Sequence, residues 1–563
     1  MPQDNIKKPT VLIVGAGLGG LLLGALLEKA GVPYKIFERA PCVKPLGSAL
    51  SVGPLVLTVL QQLGVYDEFL SISKYMTQIA MYNESLKPYK PTDYSLVEEF
   101  TGYGYHIVTR PQLYDLILRQ VPSDKILFGK KVTTISDQDD KVIIRTADDG
   151  SYEGDILIGA DGAHSTVRKH MYESLKAKRL LPKSDQEDLL FSCTCLVGQT
   201  RPLDPDEFPI LKEPLCQFQI VLGKDKPYTW ITFTTAQNTI SYMTIFHLSK
   251  ITSKTELEQN LGTTGEQHIE WGPHAAKAMC DETRIFPIPI GDGDRKMTLG
   301  DLYDRSSMDL ISKVMLEEKV FKTWHSKRMV LMGDACHKLH PSGGQGAVTA
   351  MHDAIALANL LYSIPSASPG AFSRMFTEYH SERYPAAIES FKNSQQGARV
   401  LDKGPAGAVA LYVSTHAPLW LWKSVLEKSL RHRPTIGFLA PVERKGTTVP
   451  VVSASTEKAR ALFAKQKRQQ QTRGREDEED KEEEKRDVTE AEATMDERLL
   501  YMADKSSLED KPNCEDFFLF WMCPLSPGLR DHQSAKILSL LTWLAPLQES
   551  TLSPGEDPRP QRT

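Results

Sequence analysis

The first forty residues constrain the fold of this chain more than any other segment. The apolar run Val11 to Val14 stops at a turn that reads GAGLGG, residues 15–20, and apolar residues then recur with helical spacing. A second apolar run, Tyr34 to Phe37, ends on the acid Glu38. Strand, glycine turn, helix, strand and acid in this order are typical of a dinucleotide-binding βαβ unit.

Each glycine of this turn has a physical reason. Gly15 permits the tight turn, Gly17 lets the backbone approach a pyrophosphate, and Gly20 allows the helix to pack closely on the strand. Glu38 stands about twenty residues further on, where a carboxylate accepts hydrogen bonds from ribose hydroxyls. Free ribose hydroxyls indicate FAD or NAD rather than NADP. The neighbouring Arg39 either lies along the adenosine or is a solvated surface residue.

A second glycine-rich turn occurs late in the chain. Residues 333–347 read GDACHKLHPSGGQGA and follow the apolar run Met329 to Met332, and a helical pattern starts at Ala347. The unpaired N–H groups and the positive end of the helix dipole over Gly344 and Gly346 suit an anion or a developing negative charge. A purely structural turn is the main alternative for this segment taken alone.

Charge, cysteines and the amino terminus narrow the class of protein. The formal net charge is −5 and no basic domain stands out, which argues against nucleic-acid binding. We expect no metal site, because Cys336 and His337 are adjacent and the sequence holds no second ligand cluster. The polar amino terminus and scattered cysteines indicate an intracellular protein, either cytoplasmic or membrane-associated.

A third strand and turn, residues 155–168, reads DILIGADGAHSTVR. The chain thus has three motifs in order: GxGxxG, this GADGxxSxVR turn and GDAxHxxxPxxGQG. In this combination it resembles the class A flavoprotein monooxygenases, the family of para-hydroxybenzoate hydroxylase. The resemblance covers roughly residues 9–400. The resemblance implies an α/β fold, with a Rossmann-type FAD-binding domain, an inserted and mainly antiparallel β-sheet substrate domain, a helical C-terminal part and a partly disordered tail.

The resemblance also implies residue roles. Asp334 would bind the ribityl chain of FAD, while the backbone of Gly344, Gly346 and Ala347 would face the flavin ring. Arg110, in the stretch TRPQL, would contact FAD, with a plain salt bridge as the alternative.

Two further positions follow from the same likeness. Asp161, with Arg168, would contact FAD and the nicotinamide cofactor, unless it is a turn aspartate with a nearby arginine partner. The backbone at Ser51 would touch the cofactor, although the family often has glycine there. The chain departs from the family ahead of Asp353, where Val348, Met351 and His352 replace a polar and an acidic residue.

The implied activity uses FAD, NADH or NADPH, and O2 to hydroxylate or epoxidise a small organic substrate through a flavin C4a-hydroperoxide, with no catalytic side chain assigned. The style of the motifs resembles fungal secondary-metabolite enzymes, which favours a bulky apolar substrate. Two alternatives stay open: another FAD-dependent oxidoreductase such as a halogenase, although no WxWxIP-like stretch is present, and a redox-inactive binding protein of the same fold. The oligomeric state is left open.

The patterns divide the chain into five segments: FAD-binding parts at 1–180 and 301–400, a β-rich substrate domain at 181–300, a helical segment at 401–456 and a charged low-complexity tail at 457–563. Phe218, Trp230 and Tyr242 are candidates to line the substrate pocket, although core packing is favoured for each. The tail is expected to be a solvated linker or a single exposed helix.

Residues 404–422 carry no formal charge and end in two tryptophans next to Lys423. Three interpretations compete for this segment. It attaches to a membrane surface, it spans a membrane, or it packs on the FAD-binding domain. Two prolines weaken the spanning interpretation.

Overall fold

The computed structural model describes residues 8–42, 48–256, 272–291, 296–340, 344–400 and 405–505, and the chain forms two compact units, residues 1–469 and 470–563. In chain order, the strands are β1 Val11–Val14, β2 Tyr34–Phe37, β3 Ala49–Val52, β4 Ser73–Met76, β5 Gln78–Asn83, β6 Thr92–Asp93, β7 Tyr105–Thr109, β8 Ile126–Leu127, β9 Val132–Asp137, β10 Val142–Thr146, β11 Ser151–Gly154, β12 Ile156–Gly159, β13 Leu190–Gln199, β14 Phe218–Leu222, β15 Tyr228–Thr234, β16 Ile240–Ser253, β17 Ser312–Val320, β18 His325–Ser326, β19 Met329–Leu331 and β20 His337–Lys338.

The structure describes the following α-helices. They are α1 Leu18–Ala30, α2 Pro54–Gln62, α3 Tyr66–Ile72, α4 Leu96–Thr101, α5 Arg110–Leu118, α6 Thr166–Ala177, α7 Lys183–Gln186, α8 Pro273–Thr283, α9 Leu299–Tyr303, α10 Gly346–Tyr362, α11 Pro369–Val400, α12 Pro405–His416, α13 Leu419–Ser429 and α14 Ala454–Lys505.

The first sheet joins the strands on which the motifs were found. Its order is β18-β19-β12-β1-β2-β8, and the pairs from β19 to β8 are parallel. Strands β1, β12 and β19 are buried along their whole length, because α1 and α10 belong to the same apolar core. Since parallel strands end at the same edge of a sheet, the three glycine turns after β1, β12 and β19 come together.

The second large sheet is mainly antiparallel, with the order β20-β17-β13-β16-β15-β14-β5-β6 and one parallel pair, β14 with β5. Its strands come from three separate parts of the sequence and extend on both sides of the predicted substrate domain, 181–300. β5 and β6 precede that range, and β17 and β20 follow it. Their short or weakly alternating patterns gave no sign of this pairing. A small sheet of order β3-β7-β4 packs on the second large sheet, since Ala49, Met76 and Ile107 share an apolar cluster with Cys195 and Ile231.

The charged segment is helical as far as the structure describes it. Of the two predicted forms, the single exposed helix is found in α14, whose residues beyond Glu478 are exposed where burial is described. Residues 506–563 lie outside the described residues. Within the described ranges, every helix is too short or too polar to cross a membrane.

Candidate functional site

The first glycine turn combines tight packing with one open position. Gly15 has a φ of +106°, and a Cβ there would lie 2.3 Å from the carbonyl oxygen of Ala160. A Cβ at Gly20 would lie 2.1 Å from the carbonyl oxygen of Gly15, whereas a Cβ at Gly17 would meet no atom within 4 Å. Gly15 and Gly20 therefore hold the turn together. Gly17 leaves open space at the start of α1, which fits a pyrophosphate on a helix N-terminus.

Glu38 is built into this turn. One oxygen of its carboxylate accepts a hydrogen bond from the Ala16 N–H at 2.9 Å, and the other accepts one from the Ala40 N–H at 2.9 Å. Because each carboxylate oxygen has two lone pairs, both can still accept a hydroxyl proton. The side chain therefore fixes the turn and remains able to bind a ribose. Arg39 beside it is exposed.

Asp161 has a structural task that the sequence only partly indicated. Its carboxylate accepts hydrogen bonds from the Ser165 hydroxyl at 2.5 Å and from the Thr166 N–H at 2.7 Å, at the start of α6. Arg168 instead donates to the carbonyl oxygen of Ala335 at 2.8 Å and lies over the ring of Phe321. The aspartate therefore caps a helix. Arg168, the partner expected for Asp161, instead connects the second motif to the third through the Ala335 carbonyl oxygen.

The third glycine turn brings Asp334 to the same edge. Asp334 forms an ion pair with Lys338 at 2.5 Å, and both side chains are partly exposed. Gly344 has a φ of +60°, and α10 begins at Gly346, close to the predicted start. The first N–H groups of a helix have no partner within it. Residues 341–343 of the motif lie outside the described residues.

A fully buried carboxylate, Asp353 of α10, holds this turn in place. It accepts hydrogen bonds from the Gly333 N–H at 2.9 Å, from His337 Nε2 at 2.5 Å and from Arg383 Nε at 2.8 Å. Burial on its own would raise the pKa of the Asp353 carboxyl. His337, Arg383 and the Gly333 N–H outweigh burial and lower the pKa to about 2. The carboxylate is therefore charged at neutral pH.

Cys336, His337 and Asp353 are close enough to be considered as metal ligands, since their donor atoms lie within 4.8 Å of one another. The surroundings of Asp353 do not favour a cation. Arg383 already supplies a positive charge to one oxygen, and two N–H donors occupy the other. The set is an ion-pair network rather than a built metal site.

The residues at which the chain departs from the family are packed into the protein. Val348, Met351 and His352 are buried, and His352 Nε2 lies 2.9 Å from the carbonyl oxygen of Leu55. Burial lowers the pKa of His352 to about 3, so the ring is neutral and donates to that carbonyl. This histidine joins α10 to α2.

One cavity of about 1040 Å³ opens at the edge where the glycine turns meet. Eight of the twelve residues predicted to bind the cofactor line it, namely Gly17, Gly20, Ser51, Arg110, Asp334, Gly344, Gly346 and Ala347. The other four, Gly15, Glu38, Arg39 and Asp161, lie outside its lining. Gly15 and Asp161 act through packing and capping, and Glu38 holds the turn by accepting hydrogen bonds from the Ala16 and Ala40 N–H groups.

The cavity continues over one face of the second sheet, where its lining is apolar and includes Ile79, Ile220, Ile231, Phe233, Met243 and Ile245. Of the three predicted lining residues, Phe218 is on this face. Trp230 and Tyr242 are on the opposite face, buried in a second core with Phe286 and Tyr303. Side chains alternate along a strand, so neighbours of Ile231 and Met243 must point away from the cavity.

Several residues of this cavity were not found from the sequence. Lys338 pairs with Asp334, and Tyr94 and Tyr105 line the apolar end. Val413, Leu421 and Trp422 reach the cavity from α12 and α13. The only signal for the last group was the uncharged stretch 404–422, which carries no indication of where it packs.

The model of the family described as "FAD binding domain" matches residues 8–194 and 298–394, just over half of the chain. The chain belongs to this family. The interval between the two matched ranges contains β14, β15 and β16 of the second sheet and part of β13.

Its relatives agree with this membership. The chain is 29% identical to the FAD-dependent monooxygenase paxM of Penicillium paxilli, over 62% of this chain and 69% of that protein. It is 25% identical to the FAD-dependent monooxygenase cdmI of Talaromyces verruculosus, over 82% of this chain and 93% of that protein. The predicted flavoprotein monooxygenase, with FAD as its cofactor, is confirmed.

Solved structures show the same fold. The chain superposes on Klebsiella pneumoniae HpxO complexed with FAD and uric acid with a TM-score of 0.58 at 19% identity, over 75% of this chain and 96% of that one. CtdE in complex with FAD and substrate gives a TM-score of 0.56 at 17% identity, over 74% of this chain and 95% of that one. The predicted fold class is confirmed.

The Asp353 network yields the first prediction. In Asp353→Asn the side chain loses its charge and one acceptor, and Arg383 stays buried without a counter-ion, so we expect a cost of about 3–5 kcal/mol in the free energy of unfolding. Thermal unfolding followed by circular dichroism measures it, with the exposed Asp309→Asn as the matched control.

The same network predicts a pH dependence. Because the pKa of Asp353 is lowered in the folded state, its contribution to stability is full above the unfolded value of about 4 and is lost as the pH falls towards 2. Asp353→Asn should therefore flatten this part of the stability curve. An unchanged melting temperature and an unchanged acid limb would contradict the role given to Asp353.

Proposed function

We propose that this monooxygenase binds FAD across the three glycine turns and uses NADH or NADPH and O2 to oxygenate a bulky, mainly apolar substrate. The observation that carries the proposal is a single cavity whose one end has glycine turns, helix N-termini and charged groups. Its other end is an apolar sheet face. The polar end fits a dinucleotide, and the apolar end fits an organic substrate.

The polar end supports specific roles. The open space over Gly17 at the start of α1 suits the pyrophosphate, and Glu38 suits the ribose hydroxyls. Asp334, which lines the cavity, suits the hydroxyls of the ribityl chain. The N-terminus of α10, with Gly344, Gly346 and Ala347, suits the flavin ring, while Ser51 and Arg110 border the same end.

The reaction consumes one O2 and one reduced nicotinamide: substrate, O2, NAD(P)H and a proton give the hydroxylated or epoxidised product, water and NAD(P)+. Bound FAD supplies the redox and oxygen chemistry. The protein orients the substrate, excludes water with its apolar walls and places N–H groups of α10 where negative charge develops on reduction. No side chain of the cavity is assigned a proton transfer.

The role of Glu38 can be tested by FAD binding. Glu38→Gln keeps the size of the side chain but puts an NH2 group against an N–H donor and removes the charge, so we expect FAD affinity to fall at least about tenfold. Flavin fluorescence quenching measures the dissociation constant, with the exposed Glu173→Gln as the control. Wild-type affinity in Glu38→Gln would contradict the assignment.

Oxygen transfer can be tested without knowing the substrate. Cells that contain the protein, cells with Asp334→Ala and cells with Asp309→Ala are grown under 18O2, and their apolar metabolites are compared by mass spectrometry. We expect at least one metabolite labelled with 18O in the wild type and in Asp309→Ala but not in Asp334→Ala. Identical labelling in all three would contradict the proposed reaction, as would flavin-bound protein that only releases peroxide.

We also propose that α12 and α13 rest on a membrane surface. Val409, Tyr412, Leu419 and Trp420 are exposed, Trp420 to 70%, and none of the four lines the cavity. Lys423 and Lys428 are exposed on the same helix pair. Exposed aromatic side chains beside lysines match the interface of an anionic bilayer.

Flotation with phosphatidylserine-containing vesicles tests this contact. Trp420→Ser combined with Leu419→Ser removes apolar area without touching the cavity lining, so we expect the fraction of protein that floats to fall at least about fivefold. Met308→Ser, which removes an exposed apolar side chain elsewhere, is the control. Wild-type protein that stays at the bottom of the gradient would contradict attachment.

A further inference from the structure

The apolar end of the cavity contains very few polar side chains. Among the described residues that line it, Thr92, Tyr94 and Tyr105 are the ones at this end that carry a hydroxyl. The charged lining residues, Arg110, Asp334 and Lys338, belong to the end with the glycine turns. The two phenols and the Thr92 hydroxyl are thus placed among mainly apolar side chains.

Tyr105 has a fixed orientation. It is the first residue of β7, next to the turn in which Gly53 precedes α2. A Cβ at Gly53 would lie 2.3 Å from Cε1 of the Tyr105 ring, so the ring lies directly on the glycine backbone. On another side, the ring of Tyr94 meets it edge-on, with the centroids 5.4 Å apart.

Tyr94 is itself held by α13. Its ring packs edge-on against Trp422, with centroids 5.6 Å apart, and the indole N–H of Trp422 donates to the carbonyl oxygen of Asp93 at 2.7 Å. The three rings form a row from the Gly53 turn to α13. Rings that pack edge-on in this way restrict each other's rotation, so the two hydroxyls have defined positions.

Three enclosed tyrosines elsewhere in the described residues have a partner for the hydroxyl, whereas the hydroxyls of Tyr34, Tyr114 and Tyr228 have none. Tyr103 donates to Gln61, Tyr172 to the carbonyl oxygen of Thr323, and Tyr379 to that of Leu331. Among the described residues, neither Tyr94 nor Tyr105 has a hydrogen bond from its hydroxyl to the protein. Burial raises the pKa of Tyr105, so it is a neutral phenol that can donate. A phenol enclosed without a partner is costly unless a ligand or water supplies one.

We propose that Tyr105, supported by Tyr94, is the hydrogen-bond partner of one hydroxyl or carbonyl oxygen on an otherwise apolar substrate, and that this bond fixes which part of the substrate faces the flavin. The proposal rests on the apolar substrate proposed above and adds the one polar group that the enzyme recognises. The Gly53 backbone and the Trp422 ring are the supports of this pair.

A matched pair of planar probes tests the proposal by binding alone. Pyrene and 1-hydroxypyrene have the same ring system and differ by one hydroxyl. Their own fluorescence reports binding to the full-length, FAD-loaded protein at pH 7. We expect the wild type to bind 1-hydroxypyrene about tenfold more tightly than pyrene, the range of a hydrogen bond made in an apolar site.

Substitution at Tyr105 should abolish that difference. Tyr105→Phe removes one oxygen and keeps the ring on Gly53, so we expect its two dissociation constants to agree within about twofold, chiefly through weaker binding of 1-hydroxypyrene. Tyr94→Phe should give a smaller loss. Tyr89→Phe, which lies outside the cavity lining, should keep the wild-type ratio.

The outcomes separate this proposal from the proposed function. Flavin absorbance gives the FAD content of each variant independently of the probes, so loss of FAD would count against the cofactor assignment and not against Tyr105. A wild type that binds the two probes equally, or binds neither, would overturn the proposal. A Tyr105→Phe protein that keeps the tenfold preference would overturn it as well.

Discussion

The buried carboxylate of Asp353 is the interaction on which the arrangement of the site depends. It receives the Gly333 N–H of the third turn, the His337 imidazole of β20 and the Arg383 guanidinium of α11, and so joins four parts of the chain at one point. β20 is also the edge strand of the second sheet, paired with β17. The same network therefore fixes the turn that carries Asp334 and the place where the substrate sheet meets the FAD-binding part.

The cavity next to this network has a polar end and an apolar end. Glycine turns and helix N-termini supply N–H groups to its polar end, and Gly17 leaves open space beside them because it has no Cβ. Apolar strand faces supply its other end, and α13 closes one side with Leu421 and Trp422. Charged side chains of the lining are thus confined to the end with the glycine turns. In the proposed function, the apolar walls would exclude water from the substrate.

Local patterns predicted much of this, and their limits are physical. The apolar runs at β1, β2, β12 and β19 and the glycine turns after three of them were predictable, because buried parallel strands and tight turns impose strict local requirements. Pairings between strands that are far apart in sequence were not predictable. The strands β5, β6 and β17 were therefore assigned outside the predicted substrate domain. Alternation alone could not say which face of β15 or β16 borders the cavity, so Trp230 and Tyr242 were considered beside Phe218.

Side chains whose partners are distant were the hardest to predict. The sequence placed Asp161 in a motif, but only the structure shows its carboxylate on the N-terminus of α6. Tyr94 lies between β6 and α4, Tyr105 lies in β7 and Trp422 lies in α13, and no sequence spacing joins these three residues.

The central claim is that the dinucleotide and the apolar substrate occupy one cavity. Pyrene fluorescence tests it directly, because flavin absorbs in the region of pyrene emission. Pyrene bound to FAD-loaded protein should be strongly quenched and should regain its emission when the flavin is removed, whereas equal emission with and without FAD would contradict a shared cavity.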